Sequence, residues 1–137
     1  MYSAEIIRAA RTWLGVPFRH QGRSRTGVDC VGFLLAMMAE VGILPAELEE
    51  KPTYGRAPTD DLRAAVARYC YELAEPEAGA IALITWPGDS TPSHLGLLTP
   101  ENIIHAYARV GRVVEHGYRS RWPKMTDSLW RLPGVEP

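Results

Sequence analysis

The chain of 137 residues, 46% apolar and 23% charged, has the length and composition of one globular domain, which excludes a disordered or fibrous protein. A formal net charge of −1 leaves no electrostatic footprint for nucleic acid or an anionic membrane surface. Two cysteines, Cys30 and Cys70, are too few for a disulfide framework, and 11 prolines with 12 glycines imply short elements and many turns.

The N-terminus, MYSAEIIRAARTWLG, is amphipathic and charged, without the apolar core of a secretory signal, and no stretch approaches a membrane span. The expectation is cytoplasmic synthesis with no signal peptide, any export using another route. A first helix is predicted over Ala4–Leu14, with Ser3 as N-cap and Gly15 and Pro17 as stops. PFRHQGRSRTGVD reads as a loop. The next helix, Cys30–Val41, is apolar nearly all round, as for a helix at a domain's centre. Residues 45–58, rich in Pro and Glu, read as a surface excursion, and a third helix is predicted over Asp60–Ala74 with Cys70 as a buried structural thiol. Thereafter AIALITW, SHLGLL, IIHAYA, RVVEHGY and SLWRL are short β-prone runs between turns, RSRWPKMTD among them. Helices followed by a meander of strands predict an α+β domain, with an antiparallel sheet of about five strands packed on the central helix.

Cys30 admits two readings. Asp29 is a good N-cap, so Cys30 falls in the first helical turn, where unpaired N–H groups and the positive dipole end favour a thiolate and an oxyanion. Equally, free cysteines are among the most buried residues, and core packing alone accounts for one here. The histidines bear on the choice. In SHLGLLTPENIIHAYA a hairpin with its turn between Thr99 and Pro100 puts His94 and His105 face to face; a register slip of two makes them diagonal neighbours. A base whose tautomer is fixed by a second imidazole is one reason for such a pair. The bland alternative is a surface histidine beside apolar strand positions. Cys30, His94, His105 and His116 together as zinc ligands lack the short paired spacing of structural zinc sites, so no metal or other cofactor is expected.

WLGVPFRHQGRSRTGVDCVGFLLAMMAEVG resembles the nucleophile segment of the NlpC/p60-type cell-wall cysteine peptidases, where a G-x-P-Y-x-x-G-G loop precedes D-C-S-G at a helix start. SHLGLL is similar to that family's H-V-G-I-Y strand, and IIHAYA to the strand ending in I-H-A. The resemblance covers about residues 4–120, in the order cysteine, histidine, histidine. The R-H-Q after Pro-Phe looks most like the branch found in phage and phage-like tail gene clusters.

The resemblance implies a single papain-like domain over residues 1–137, with Cys30 as nucleophile, His94 as general base and His105 as its orienting residue. It implies that Phe18 or His20 takes the place of the family's oxyanion tyrosine, an imidazole N–H standing for the phenol O–H in the second case, with Asp29, Arg19 and Ser93 among the oxyanion or substrate contacts. Val31 stands for the usual serine, and the second glycine of G-G is Gln21 or Arg23. Arg19, Arg23 and Arg25 are candidates to hold a substrate carboxylate, or simply a solvated charged loop. The implied reaction is hydrolysis of a γ-D-glutamyl–diamino acid bond in a peptidoglycan stem peptide through a thioester. The rival readings are an amidase or acyltransferase on the same fold, or a silent wall-binding module. Implied partners are the stem peptide and tail proteins, with neither nucleic acid nor membrane insertion.

Overall fold

The apolar run after Asp29 sets the architecture. Cys30–Val41 forms α2, as the pattern predicts, and buries Phe33, Leu34, Leu35, Met37 and Met38. Each such side chain taken from water contributes about 1.5–3 kcal/mol. Gly42 ends the helix in left-handed backbone (φ 81°), returning its N–H to Ala39 O, while Ile43 N–H bonds Met38 O at 3.0 Å. The structure, a computed structural model, describes residues 1–49 and 61–137. Most of the predicted 45–58 excursion lies outside those residues; at its start Ala46–Leu48 forms a 3₁₀ turn.

Two predicted helices are shorter than their patterns. α1 spans Ser3–Arg11, and Tyr2 rather than Ser3 is its N-cap, because the Glu5 carboxylate accepts the Tyr2 N–H at 2.7 Å. The chain then tightens, Trp13 N–H bonding Ala10 O at 3.0 Å, so Trp13 turns into the core and Leu14 is left 43% exposed. α3 covers Asp61–Tyr69, and the predicted continuation to Ala74 instead bends at Cys70 into a strand, β3, Tyr71–Leu73. Tyr and Leu at alternate positions suit a sheet edge, and pairing with the last strand outweighs helix propensity. Cys70 is half-buried against the core, which pushes its thiol up to about 12. The predicted loop before α2 contains a small hairpin, β1 (Arg23–Ser24) with β2 (Gly27–Val28). The predicted linker RSRWPKMTD contains α4, Arg121–Met125, which tolerates Pro123 because a first turn needs no donor there.

β4 (Ile81–Ile84), β5 (His94–Leu98), β6 (Asn102–Tyr107), β7 (Arg112–Gly117) and β8 (Thr126–Arg131) fall on the five predicted runs. With β3 they make an antiparallel sheet in the order β3-β8-β4-β5-β6-β7. Side chains alternate between its faces. Ile81, Leu83, Leu95, Leu97, Ile104 and Val113 pack with Trp13, Phe33 and Met37 of the helical layer. Ala82, Ile84, Leu98 and Ile103 face the other way, under Trp122 of α4. Among the described residues no helix is long and apolar enough to cross a membrane.

The first turn of α2 touches the preceding loop backbone to backbone. A Cβ on Gly32 would fall far inside van der Waals contact with Gly22 O and 3.0 Å from Asp29 Oδ1. Neither backbone can give way cheaply, so Gly32→Ala is expected to cost about 3 kcal/mol and lower the melting temperature by roughly 10 °C. Calorimetry of the variant checks this, and an unchanged melting temperature would contradict it.

Candidate active site

Asp29 joins the loop to the helix. Its carboxylate, 4% exposed, accepts Gly32 N–H at 2.8 Å through Oδ1 and Gln21 N–H at 2.7 Å through Oδ2. The first bond caps α2, and the second fixes residues 20–22 above the helix start. His20 lies at the same carboxylate, its Nδ1 3.9 Å from Oδ2. Cys30 therefore occupies the first turn, half-buried, with the loop on one side and β5 on the other.

The sheet opens where Cys30 meets it. In β5 the Leu98 N–H bonds Ala80 O toward β4, so alternation turns the N–H of Leu95 toward β6. The β5–β6 ladder, however, consists of Leu97↔Ile104 and Leu98↔Ile103. The Leu95 N–H instead acts on the Cys30 thiol, favouring its ionised form. That N–H belongs to the peptide that joins His94, the candidate base, to Leu95. Burial pushes the thiol up to about 12, with the Asp29 charge adding to it, while N–H groups of Leu95, Val31 and Cys30 itself act in the opposite direction. Among the described residues no hydrogen bond joins the thiol to the His94 ring.

His94 and His105 meet diagonally rather than face to face. Thr99 N–H bonds Asn102 O at 2.9 Å, centring the turn one residue later than the sequence suggests, and the register places His105 across from Gly96. A Cβ on Gly96 would lie 3.0 Å from that of His105, so the glycine makes room for the ring. Nε2 of His94 and Nδ1 of His105 are 2.6 Å apart. Because no buried ring nitrogen among the described residues lacks a partner, the remaining nitrogen of His94, Nδ1, reaches solvent. Trp86 stacks on His94 at 4.8 Å, Tyr107 on His105 at 4.8 Å, and Trp122 meets His105 edge-on at 5.1 Å. These rings keep water from the imidazole pair, and burial holds both well below the usual histidine range.

The other predicted contacts are more dispersed. Arg19 is exposed, its stem lying over Gly27. Ser93 is half-buried, its N–H bonded to Ile84 O at 3.1 Å, immediately before the candidate base. Arg25 serves the fold: it bonds Glu40 at 2.8 Å and Thr12 O at 2.6 Å and lies over the Trp13 ring. Arg23 likewise bonds Leu48 O at 2.6 Å. The site also holds residues that sequence reasoning did not assign to it. His116 reaches His105 (Nε2 to Nε2, 2.8 Å), and Trp86 and Trp122 wall the imidazoles. The signal for His116 was its spacing, His94, His105 and His116 lying 11 residues apart. Their ring nitrogens are hydrogen-bonded to one another rather than directed at a common point, and among the described residues no group of His, Cys, Asp and Glu could hold a metal ion.

The NlpC/P60 family model matches residues 15–131. The chain belongs to the NlpC/P60 family. Among solved structures, the NlpC/p60 domain of the peptidoglycan hydrolase SagA is 19% identical (TM-score 0.65), covering 95% of this chain and 98% of that one. The peptidoglycan hydrolase RipB from Mycobacterium tuberculosis is 22% identical (TM-score 0.65), covering 96% of this chain and 64% of that one. NlpC2 from Trichomonas vaginalis is 17% identical (TM-score 0.72), over 95% of this chain and 46% of that one. No curated protein matches the sequence. These likenesses show the α+β fold of NlpC/P60 domains, helices packed on an antiparallel sheet.

Two substitutions in this NlpC/P60 domain have a local reading. Gln21 holds left-handed backbone (φ 60°), the conformation glycine adopts most easily, whereas Arg23 lies in β1. Val31, in place of the serine, packs against the main core.

The buried imidazoles make stability depend on pH. Unfolded, both rings take protons near pH 6.5; folded, they stay neutral to much lower pH. The unfolded chain therefore binds more protons in between, so stability present above about pH 6.5 is lost on acidification, by about 1.4 kcal/mol per pH unit for each ring. The melting temperature is expected to fall steadily below pH 6.5, and less steeply in His105→Gln. A pH series of melts on both proteins tests this, and equal slopes would contradict it.

Proposed function

We propose that the protein is a cysteine peptidase that hydrolyses an amide of a peptidoglycan stem peptide, at the bond between γ-D-glutamate and a diamino acid. One observation carries the reading: the far nitrogen of the His94 ring is tied to His105, on the sheet against which α2 packs with Cys30 in its first turn. Core packing asks for no such bond. The peptidoglycan hydrolases SagA and RipB share the fold, which supports the choice of substrate.

Burial favours the neutral thiol and the neutral imidazole, so the thiolate is best formed in the step that uses it. His94 Nδ1 takes the thiol proton as Cys30 Sγ attacks the carbonyl carbon. The N–H groups of the first helical turn, with His20 beside them, receive the oxyanion. His94 then protonates the departing amine, leaving a thioester, and a water activated by the same nitrogen releases the acid and restores the thiol. Arg19, exposed in the loop before Cys30, and Ser93, next in sequence to the base, are assigned to substrate polar groups. The Arg19-His20-Gln21 turn supports placement in the tail-cluster branch, where virion proteins would carry the enzyme to the wall.

Cys30→Ala should lower muropeptide cleavage at least about 10³-fold while leaving the melting temperature nearly unchanged. Chromatography of digested muropeptides measures it. Cleavage equal to that of the parent would sink the reading, and release of muramyl groups or acyl transfer would move it to the amidase or acyltransferase class.

A further inference from the structure

Three of the four histidines form one row across adjacent strands. His94 on β5 bonds His105 on β6, which bonds His116 on β7, and His116 Nδ1 lies 3.1 Å from Gly117 O. A carbonyl oxygen can only accept, so that last contact fixes the proton of His116 on Nδ1. A neutral imidazole carries one N–H, so His116 Nε2 must accept from His105 Nε2–H. Nδ1 of His105 is then an acceptor, and it takes the Nε2–H of His94. The only unprotonated, unbonded nitrogen in the row is His94 Nδ1.

We propose that His116 is a positioning residue: anchored on the Gly117 carbonyl, it sets the tautomers of His105 and His94 so that Nδ1 of His94 is free to act as base. The proposal rests on the cysteine peptidase reading above. Without the acceptor on His116, His105 can carry its proton on Nδ1 and donate to His94 Nε2. The His94 proton then moves to Nδ1, and the base is blocked. The pair alone permits either arrangement; the third ring decides between them.

Among the described residues, the groups around the row do not supply a substitute acceptor. From β6 it is faced by His105 and Tyr107, and from α4 by Trp122, with Arg121 over that ring at 5.3 Å and 3.4 Å from the Tyr107 hydroxyl. The Arg119 guanidinium packs against Gly117. Glu115, beside His116 in β7, turns to Arg11 at 2.9 Å and Asn102 at 3.0 Å. The Tyr118 hydroxyl is engaged with Thr126 at 2.6 Å.

Long-range proton–nitrogen NMR of the unaltered protein, at neutral pH, reads the tautomers directly and needs no substrate. Protons are expected on Nε2 of His94 and His105 and on Nδ1 of His116; a proton on Nε2 of His116 overturns the proposal. His116→Leu should lower kcat about 10–100-fold with KM nearly unchanged and should mix the tautomers of His105. His116→Gln, whose carbonyl can still accept, should restore most of the rate and the single tautomer. Full activity and an unaltered tautomer pattern in His116→Leu would also overturn it. If the unaltered protein cleaves no muropeptide, the peptidase reading fails by itself, and the NMR pattern still judges the row.

Discussion

The carboxylate of Asp29 is the hinge of this structure. A helix as apolar as α2 is easily buried, but burial leaves its first N–H groups without water. Asp29 satisfies one of them and in the same stroke fastens the loop at Gln21, so the helix start and the loop become one rigid corner. Gly22 and Gly32 allow that corner to close, because their backbones touch with no room for a side chain. The cost is electrostatic: a buried negative charge next to Cys30 opposes ionisation of the thiol. The site answers with N–H groups around the sulfur, and with a base poised to remove the proton during attack.

The second constraint is an interruption in a sheet. Had β5 and β6 stayed paired along their length, the N–H of Leu95 would have joined the ladder and Cys30 would have met a closed surface. The strands part beyond Leu97↔Ile104, and the Leu95 N–H acts on the Cys30 thiol rather than on β6. Beyond that point the sheet's outer face is paved with aromatic rings. Trp86, Tyr107 and Trp122 remove water from the imidazoles, which strengthens the hydrogen bonds between them and penalises any charge they acquire.

Much of this was legible in the residues, for reasons that differ by element. α2 was readable because its apolar run and its Asp29 cap agree. The five runs of β4 to β8 were readable because alternation and turn residues bracket them. α1 was overdrawn because Trp13 and Leu14 continue the helical spacing past the point where the backbone tightens. YEL was assigned to a helix because its partner, β8, lies 55 or more residues away, beyond any local pattern. The residues allow two histidine registers, face to face and diagonal, and the choice of the diagonal hangs on one hydrogen bond across Thr99–Asn102, which composition does not encode. His116 escaped for a related reason. Two four-residue turns, between Leu98 and Ile103 and between Tyr107 and Arg112, give both hairpins the same diagonal offset, so the third ring continues the line of the first two.

β7 is an edge strand. At its beginning the edge is closed, since Val113 exchanges backbone bonds with Gly15 and Val16. At its end, around His116 and Gly117, β6 is the sole ladder partner among the described residues. Edges open more often than sheet interiors, and such openings need far less free energy than global unfolding. The end of the imidazole row thus sits on an edge of the sheet, while Cys30 sits on the helix at the centre of the core. The geometry of the row is thereby tied to local fraying of β7, and the placement of Cys30 to the integrity of the core around α2.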